Sequence, residues 1–246
     1  MATLNINPGT IIKFLEKTTI EILEGDVEII NQESSPSTNS YAVDFNAVDC
    51  HLTASSDGFA FGDGDYTMEF LSYIDSESGD WVQSGYHVFL ETRSYSNGPG
   101  FVLYLHPEGS QRTLRLYDQA VGVVADIPEA LSVGVWNHIA VTRSSGIVRF
   151  FVNGLLKAET SNYSSYNSQD LLINAGYDNR NSNAVGKMSN LRIVKGQALY
   201  TSDFSVPSLP LTSQGINGTV VLLALQNKTL EEGLTAVNNP TIVKMS

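Results

Sequence analysis

Three kinds of residue clusters in this 246-residue chain could do chemistry. The first is oxygen-rich: Asp63-Gly64-Asp65 and Tyr177-Asp178-Asn179-Arg180-Asn181 carry the hard oxygen ligands that Ca²⁺ prefers. Asp and Asn are equally the residues that turns select, so Asp63 and Asp65 read either as calcium ligands or as turn formers. The second is aromatic and polar. Carbohydrate recognition wants ring faces for stacking and amide, carboxylate or guanidinium groups for hydroxyls. Tyr95 with Asn97, and Tyr177 with Asp178, Asn179, Arg180 and Asn181, offer those types in turn-rich stretches, as do Tyr163 and Tyr166. The third is nucleophilic or metal-binding, and it is poor. The single cysteine, Cys50, excludes an internal disulfide. The histidines lack zinc spacing apart from the adjacent Cys50-His51 pair, and Cys50 reads as a plain thiol. No Gly-x-Ser-x-Gly elbow supports a serine triad, and His138 reads as structural.

The elements that must position these residues are strands. Val135 to Glu159 reads as three in succession. Val135, Ile139 and Val141 fall on one face, Ser144-Ser145-Gly146 turns the chain, and Ile147 to Val152 follows. Asn153-Gly154 between apolar runs calls for a type I′ hairpin, which needs positive φ at both central residues. Further strands are expected at 41–45, 51–53, 66–74, 86–92, 101–105, 113–117, 121–125, 170–175 and 186–194. The apolar run Thr219 to Gln226 reads as a buried strand, and Val206 to Leu211, with two prolines, as a surface or edge segment. Short strands with turn signals every eight to twelve residues predict a two-sheet sandwich. Phe70, Val88, Leu90, Leu103, Ile139, Val141, Phe150, Val152, Leu172 and Ile193 are the expected core.

Residues 1–31 form short β-rich pieces too small for their own core, an arm for attachment or oligomerisation. Residues 32–40 read as a polar linker, and the sandwich occupies 41–246. A net charge of −12 argues against a nucleic-acid partner. No apolar run reaches membrane-spanning length, and the opening MATLNINPGT reads as no secretory signal, so synthesis in a reducing cytoplasm is expected. The sequons at Asn162, Asn217 and Asn227 carry little weight in that setting.

The segments AVDF (Ala42 to Phe45), FGDGDYTMEF (Phe61 to Phe70), WNHIAVTR (Trp136 to Arg143), VRFFVNG (Val148 to Gly154) and GKMSNLRIVKGQALYTSDFSVP (Gly186 to Pro207), in this order, resemble the concanavalin A-like lectin/glucanase superfamily in its laminin-G-like form. The pattern RIVKGQALYTSDF followed by TVVLLALQ is most similar to modules of bacteriophage virion proteins. The resemblance implies an all-β fold: an antiparallel two-sheet jelly-roll sandwich with its first and last strands adjacent. It also implies a virion component, a capsid decoration or a tail or fibre part, on the surface of a phage particle. Its partners would be other virion proteins gripped by the arm, a homo-oligomer (a trimer by analogy) and a cell-surface glycan. A host-surface adhesin is the alternative, and a glycoside hydrolase a further one. The superfamily's hydrolases place Glu-aliphatic-Asp carboxylates on one strand. The nearest match, Glu24-Gly25-Asp26-Val27-Glu28, has Gly where the aliphatic residue belongs and lies in the arm. The expectation is therefore no enzyme and no cofactor beyond a possible Ca²⁺.

Overall fold

The computed structural model describes residues 41–45, 50–74, 86–93, 99–108, 111–177, 186–237 and 240–245. The expected arm and linker, residues 1–40, lie outside them. The described chain is almost wholly β: β1 (Tyr41–Asp44), β2 (His51–Ser55), β3 (Tyr66–Ile74), β4 (His87–Glu91), β5 (Phe101–Glu108), β6 (Gln111–Asp118), β7 (Gly122–Pro128), β8 (Trp136–Ser144), β9 (Ile147–Val152), β10 (Leu155–Ser161), β11 (Asp170–Ile173), β12 (Gly186–Lys195), β13 (Thr219–Ala224), β14 (Leu234–Val237) and β15 (Thr241–Lys244). One 3₁₀ turn, Asp57–Phe59, interrupts the series.

Two antiparallel sheets share one core, which is the jelly-roll sandwich. The larger runs β10-β9-β8-β3-β12-β1-β15, with β13 beside β12. The smaller runs β14-β2-β11-β4-β5-β6-β7. The first strand pairs with the last, Tyr41 opposite Lys244 and Asp44 opposite Thr241, as the resemblance implies. Between the sheets, alternate residues interlock: Met68 and Phe70 of β3, Ile139 and Val141 of β8 and Phe150 of β9 meet Leu90 of β4, Leu103 of β5 and Leu114 of β6. Each such side chain contributes about 1.5–3 kcal/mol when removed from water.

The β8–β9–β10 meander is built as its turns demand. Ser145 and Gly146 have φ of 50° and 76°, Asn153 and Gly154 of 52° and 78°. At Gly154 the requirement is doubled, because an added Cβ would lie 2.1 Å from the carbonyl oxygen of Phe204. Gly154→Ala should therefore cost at least about 1–2 kcal/mol from the left-handed backbone alone. More is added by displacing the segment around Phe204, which a lowered denaturation midpoint would report.

Two core expectations are corrected. Leu172 does not enter the core. Its neighbours Leu171 and Ile173 do, and period-2 alternation turns Leu172 to the opposite face of β11. Val88 is buried as expected, but in a second, smaller cluster with Val102, Tyr104 and Tyr117 on the other face of the sheet. A bulge between Val88 and Leu90 breaks the alternation, and Phe89 and Leu90 both join the core. The run at 219–226 also differs: β13 is a half-buried strand beside β12, not a fully buried one. Leu209 and Pro210 run along the surface as expected, and only Leu211 of that segment is buried.

His87, at the start of β4, is buried, and its imidazole is held down to about 3 by that burial and by the Arg112 charge. The unfolded chain thus takes up this proton first, near pH 6.5. Stability from His87 is complete above that pH and falls as the pH drops toward 3, by about 3 kcal/mol at pH 4.5. Melting temperatures measured from pH 7 to 4.5 should fall, and His87→Leu should flatten the slope.

Candidate functional site

The outer faces of the two sheets differ. On the larger sheet, the segment from Gln197 to Thr212 lies over a buried ionic cluster. Glu69 of β3 is fully buried and receives bonds from Arg192 Nε (2.8 Å) and Tyr200 Oη (2.9 Å), with Arg192 Nη2 at 2.6 Å. His138 Nε2 sits 3.1 Å from the same carboxylate. Arg192 also donates to the Thr212 carbonyl at 2.6 Å, Thr142 to the Tyr200 carbonyl at 2.8 Å, and Leu211 N to Asn190 Oδ1 at 2.8 Å. Phe204 stacks on Tyr200 and meets the His138 ring edge-on. Burial raises the Glu69 carboxyl, but the His138 hydrogen bond and the Arg192 charge outweigh it, leaving it below the ordinary carboxylate range. A Glu-His pair could exchange protons, yet this one is buried and strapped over. It fastens the segment to the sheet, in line with the structural reading of His138.

The smaller sheet carries an open groove of about 440 Å³ on its outer face. β14, β2 and β11 supply its floor: Thr235 lies opposite Thr53, and Thr53 opposite Leu172. Ser55 and Asp170, which also line the groove, face each other across the same pair. The chain continues from β4 into Arg93, which forms one wall, and Tyr177 forms the neighbouring one. Alternation along β4 sets Glu91 and Arg93 on the same side, and they pair directly. Glu91 is 1% and Arg93 13% exposed, so this pair is screened little by water. The Glu91 carboxylate also accepts from Tyr177 N at 3.3 Å. The guanidinium lies 5.0 Å from the Tyr177 ring centre and 5.7 Å from that of Tyr117. Its Nη1 donates to Gln119 Oε1 at 3.2 Å. The result is a fixed polar and aromatic wall beside a floor of hydroxyls and one leucine.

Of the residues singled out by sequence for glycan contact, Tyr177 lines this groove. Asp178, Asn179, Arg180 and Asn181 follow it directly in sequence and lie outside the described residues, as do Tyr95 and Asn97. Tyr163 is exposed elsewhere, against Gly146. Tyr166 is corrected: it is buried in the core, its hydroxyl donating to Asp118 at 2.8 Å. Arg93 was not among those residues, although Glu-x-Arg at period 2 beside a strand end was a readable sign of an ion pair on one face.

The Asp63-Gly64-Asp65 loop is organised by a cation of the protein's own. Fully buried Arg143 donates to the carbonyls of Gly62 (2.7 Å), Gly64 (2.8 Å) and Ser164 (2.7 Å). Asp65 accepts from Ser145 N at 2.8 Å, and Asp63 is left exposed. The carbonyls of Gly62 and Gly64 thus face a guanidinium. Among the described residues, no group of three His, Cys, Asp or Glu is placed to hold a metal. Cys50 packs in the core while His51 belongs to β2, and the pair joins no such group.

A family model described as the concanavalin A-like lectin/glucanases superfamily matches residues 46–201. No curated protein matches the sequence. Among solved structures, the heptameric SAP-like pentraxin of Limulus polyphemus is similar over 82% of this chain and 96% of its own, at 11% identity and a TM-score of 0.50. A putative carbohydrate binding protein from Bacteroides ovatus is similar over 85% of this chain and 63% of its own, at 17% identity and a TM-score of 0.48. The enzymatically active domain of tailspike protein 2 of bacteriophage CBA120 is similar over 60% of this chain and 24% of its own, at 14% identity and a TM-score of 0.44. At such identities the likeness is one of fold.

Proposed function

Because the chain belongs to the concanavalin A-like lectin/glucanases superfamily, we propose that the groove on its smaller sheet is a carbohydrate-binding site and that the protein acts by binding, without catalysis. The observation that carries this reading is the wall of Arg93 held between Tyr177 and Tyr117 beside hydroxyl-bearing Thr53, Ser55 and Thr235. A sugar presents an apolar ring face and a rim of hydroxyls, and this groove offers an aromatic surface and matching donors and acceptors. Its size suits one or two sugar units. A binding role is favoured over hydrolysis because glycosidases flank the scissile bond with two working carboxylates. Here Glu91 is tied to Arg93 and Tyr177 N, which leaves Asp170 as the exposed acid among the described lining residues.

The resemblance of Arg192 to Phe204 and Thr219 to Gln226 to phage virion modules supports display of this groove on a phage particle, with residues 1–31 as the attaching arm and an oligomer, a trimer by analogy, as the displayed form. Immunogold labelling of intact particles would locate it. The binding reading itself is tested by presenting the full chain to a glycan array. Tyr177-dependent capture of a defined set of glycans supports it. Binding that persists unchanged in Tyr177→Ala, or release of reducing sugar from the captured glycan, contradicts it.

A further inference from the structure

The carbohydrate reading leaves open which chemical class of sugar is taken, and the charges around the groove narrow it. We infer that the groove selects uncharged saccharides over sialylated, uronate-containing or sulfated ones; this rests on the carbohydrate-binding reading above. An anionic sugar is held best beside an available cation, and Arg93 is the only basic residue among the described residues that line the groove. Its charge is already paired with the Glu91 carboxylate. Nε pairs with Glu91, Nη1 donates to Gln119, and the Tyr177 and Tyr117 rings lie against it, leaving 13% of the side chain exposed. The pair is therefore close to neutral toward a ligand, and it serves to hold the Tyr177 wall in place.

The remaining charge is negative. Asp170 is exposed and lines the groove, next to Ser55 across the β2–β11 pair. A carboxylate in that place accepts two hydroxyl hydrogens from neighbouring sugar carbons and repels a ligand carboxylate or sulfate. The chain's net charge of −12 adds a long-range field of the same sign, which opposes the approach of polyanions most strongly at low salt. Thr53 and Thr235 on the floor each donate and accept, which is the pairing that sugar hydroxyls require. Asp170 is thus the specificity-determining residue.

The test uses the full chain against an array printed with neutral glucan, mannan and galactan oligosaccharides beside sialylated, uronate and sulfated ones, in low and high salt. The expected result is capture of neutral glycans, at least about tenfold tighter than any anionic one, with little dependence on salt. Asp170→Asn should weaken that capture about tenfold, as the loss of one charge-assisted hydrogen bond does, with unchanged melting temperature. Tyr177-dependent binding of an anionic glycan as tightly as the neutral ones, weakening as salt rises, would overturn the inference while leaving the carbohydrate site standing. Absence of binding to every glycan would overturn both. Binding of neutral glycans unaffected by Asp170→Asn would remove Asp170 from the role given to it.

Discussion

Replacing Glu69 with alanine is expected to remove about 3–5 kcal/mol of stability, read as a large fall in the denaturation midpoint with little change in slope. Glu69 is fully buried and faces Arg192 at 2.6 Å, His138 at 3.1 Å and Tyr200 at 2.9 Å. Its attraction for Arg192 compensates the cost of taking that guanidinium out of water. Without it, Arg192 remains under the 197–212 segment with a carbonyl and a phenol as partners. Glu69→Gln keeps the shape and some of the hydrogen bonds but not the charge, and should fall between wild type and Glu69→Ala. Acid should act similarly. The carboxyls of Glu69 and Asp118 both titrate below the usual range. For each, burial pushes the value up, but partners prevail: His138 and Arg192 for Glu69, and Asn162, Ser164, Ala120 N and Tyr166 for Asp118. Their stabilisation is present above the unfolded carboxylate pKa and is lost as pH falls through the lower folded values. A change under about 1 kcal/mol for Glu69→Ala would show that the cluster is solvated and the segment loosely held.

Arg93→Ala should abolish most carbohydrate capture, by tenfold or more, although Arg93 itself is inferred to give little direct contact to sugar. Its loss removes the plate between Tyr177 and Tyr117 and leaves Glu91, 1% exposed, without its countercharge. Both effects free the Tyr177 wall, whose backbone is bonded to the Glu91 carboxylate. Arg93→Lys keeps a charge but loses the planar fork, so partial recovery is expected. Titration calorimetry with a glycan captured by the wild type distinguishes the three proteins. Equal affinity in wild type and Arg93→Ala would dissociate the ion pair from the site.

Much of the scaffold was legible because strand identity is a local property. Tyr66 to Ile74 and Ile147 to Val152 appear as strands with those bounds, and Asn153-Gly154 turns with positive φ at both residues. What escaped the sequence depends on distant partners. β14 and β15 have four residues each and no marked pattern; they exist because β2 and β1 present edges to them. Leu172 sits in an Asp-Leu-Leu-Ile run that fits either face, and only pairing with β2 and β4 fixes which side is inward. Val88 moved outward through a bulge that no residue type announced. The site was legible in part for the same reason. Tyr177 could be chosen as an aromatic in a polar loop, whereas Arg93, Thr53 and Thr235 become neighbours only when four strands from separate parts of the chain line up.

The proposed ligand site is the groove of the smaller sheet. The most direct measurement is a crystal structure of the full chain with an oligosaccharide from the array. Sugar density packed against Tyr177 and Leu172, with hydroxyls on Asp170 and Thr53, is the predicted result. Ordered sugar elsewhere, with the groove holding only solvent, would contradict it.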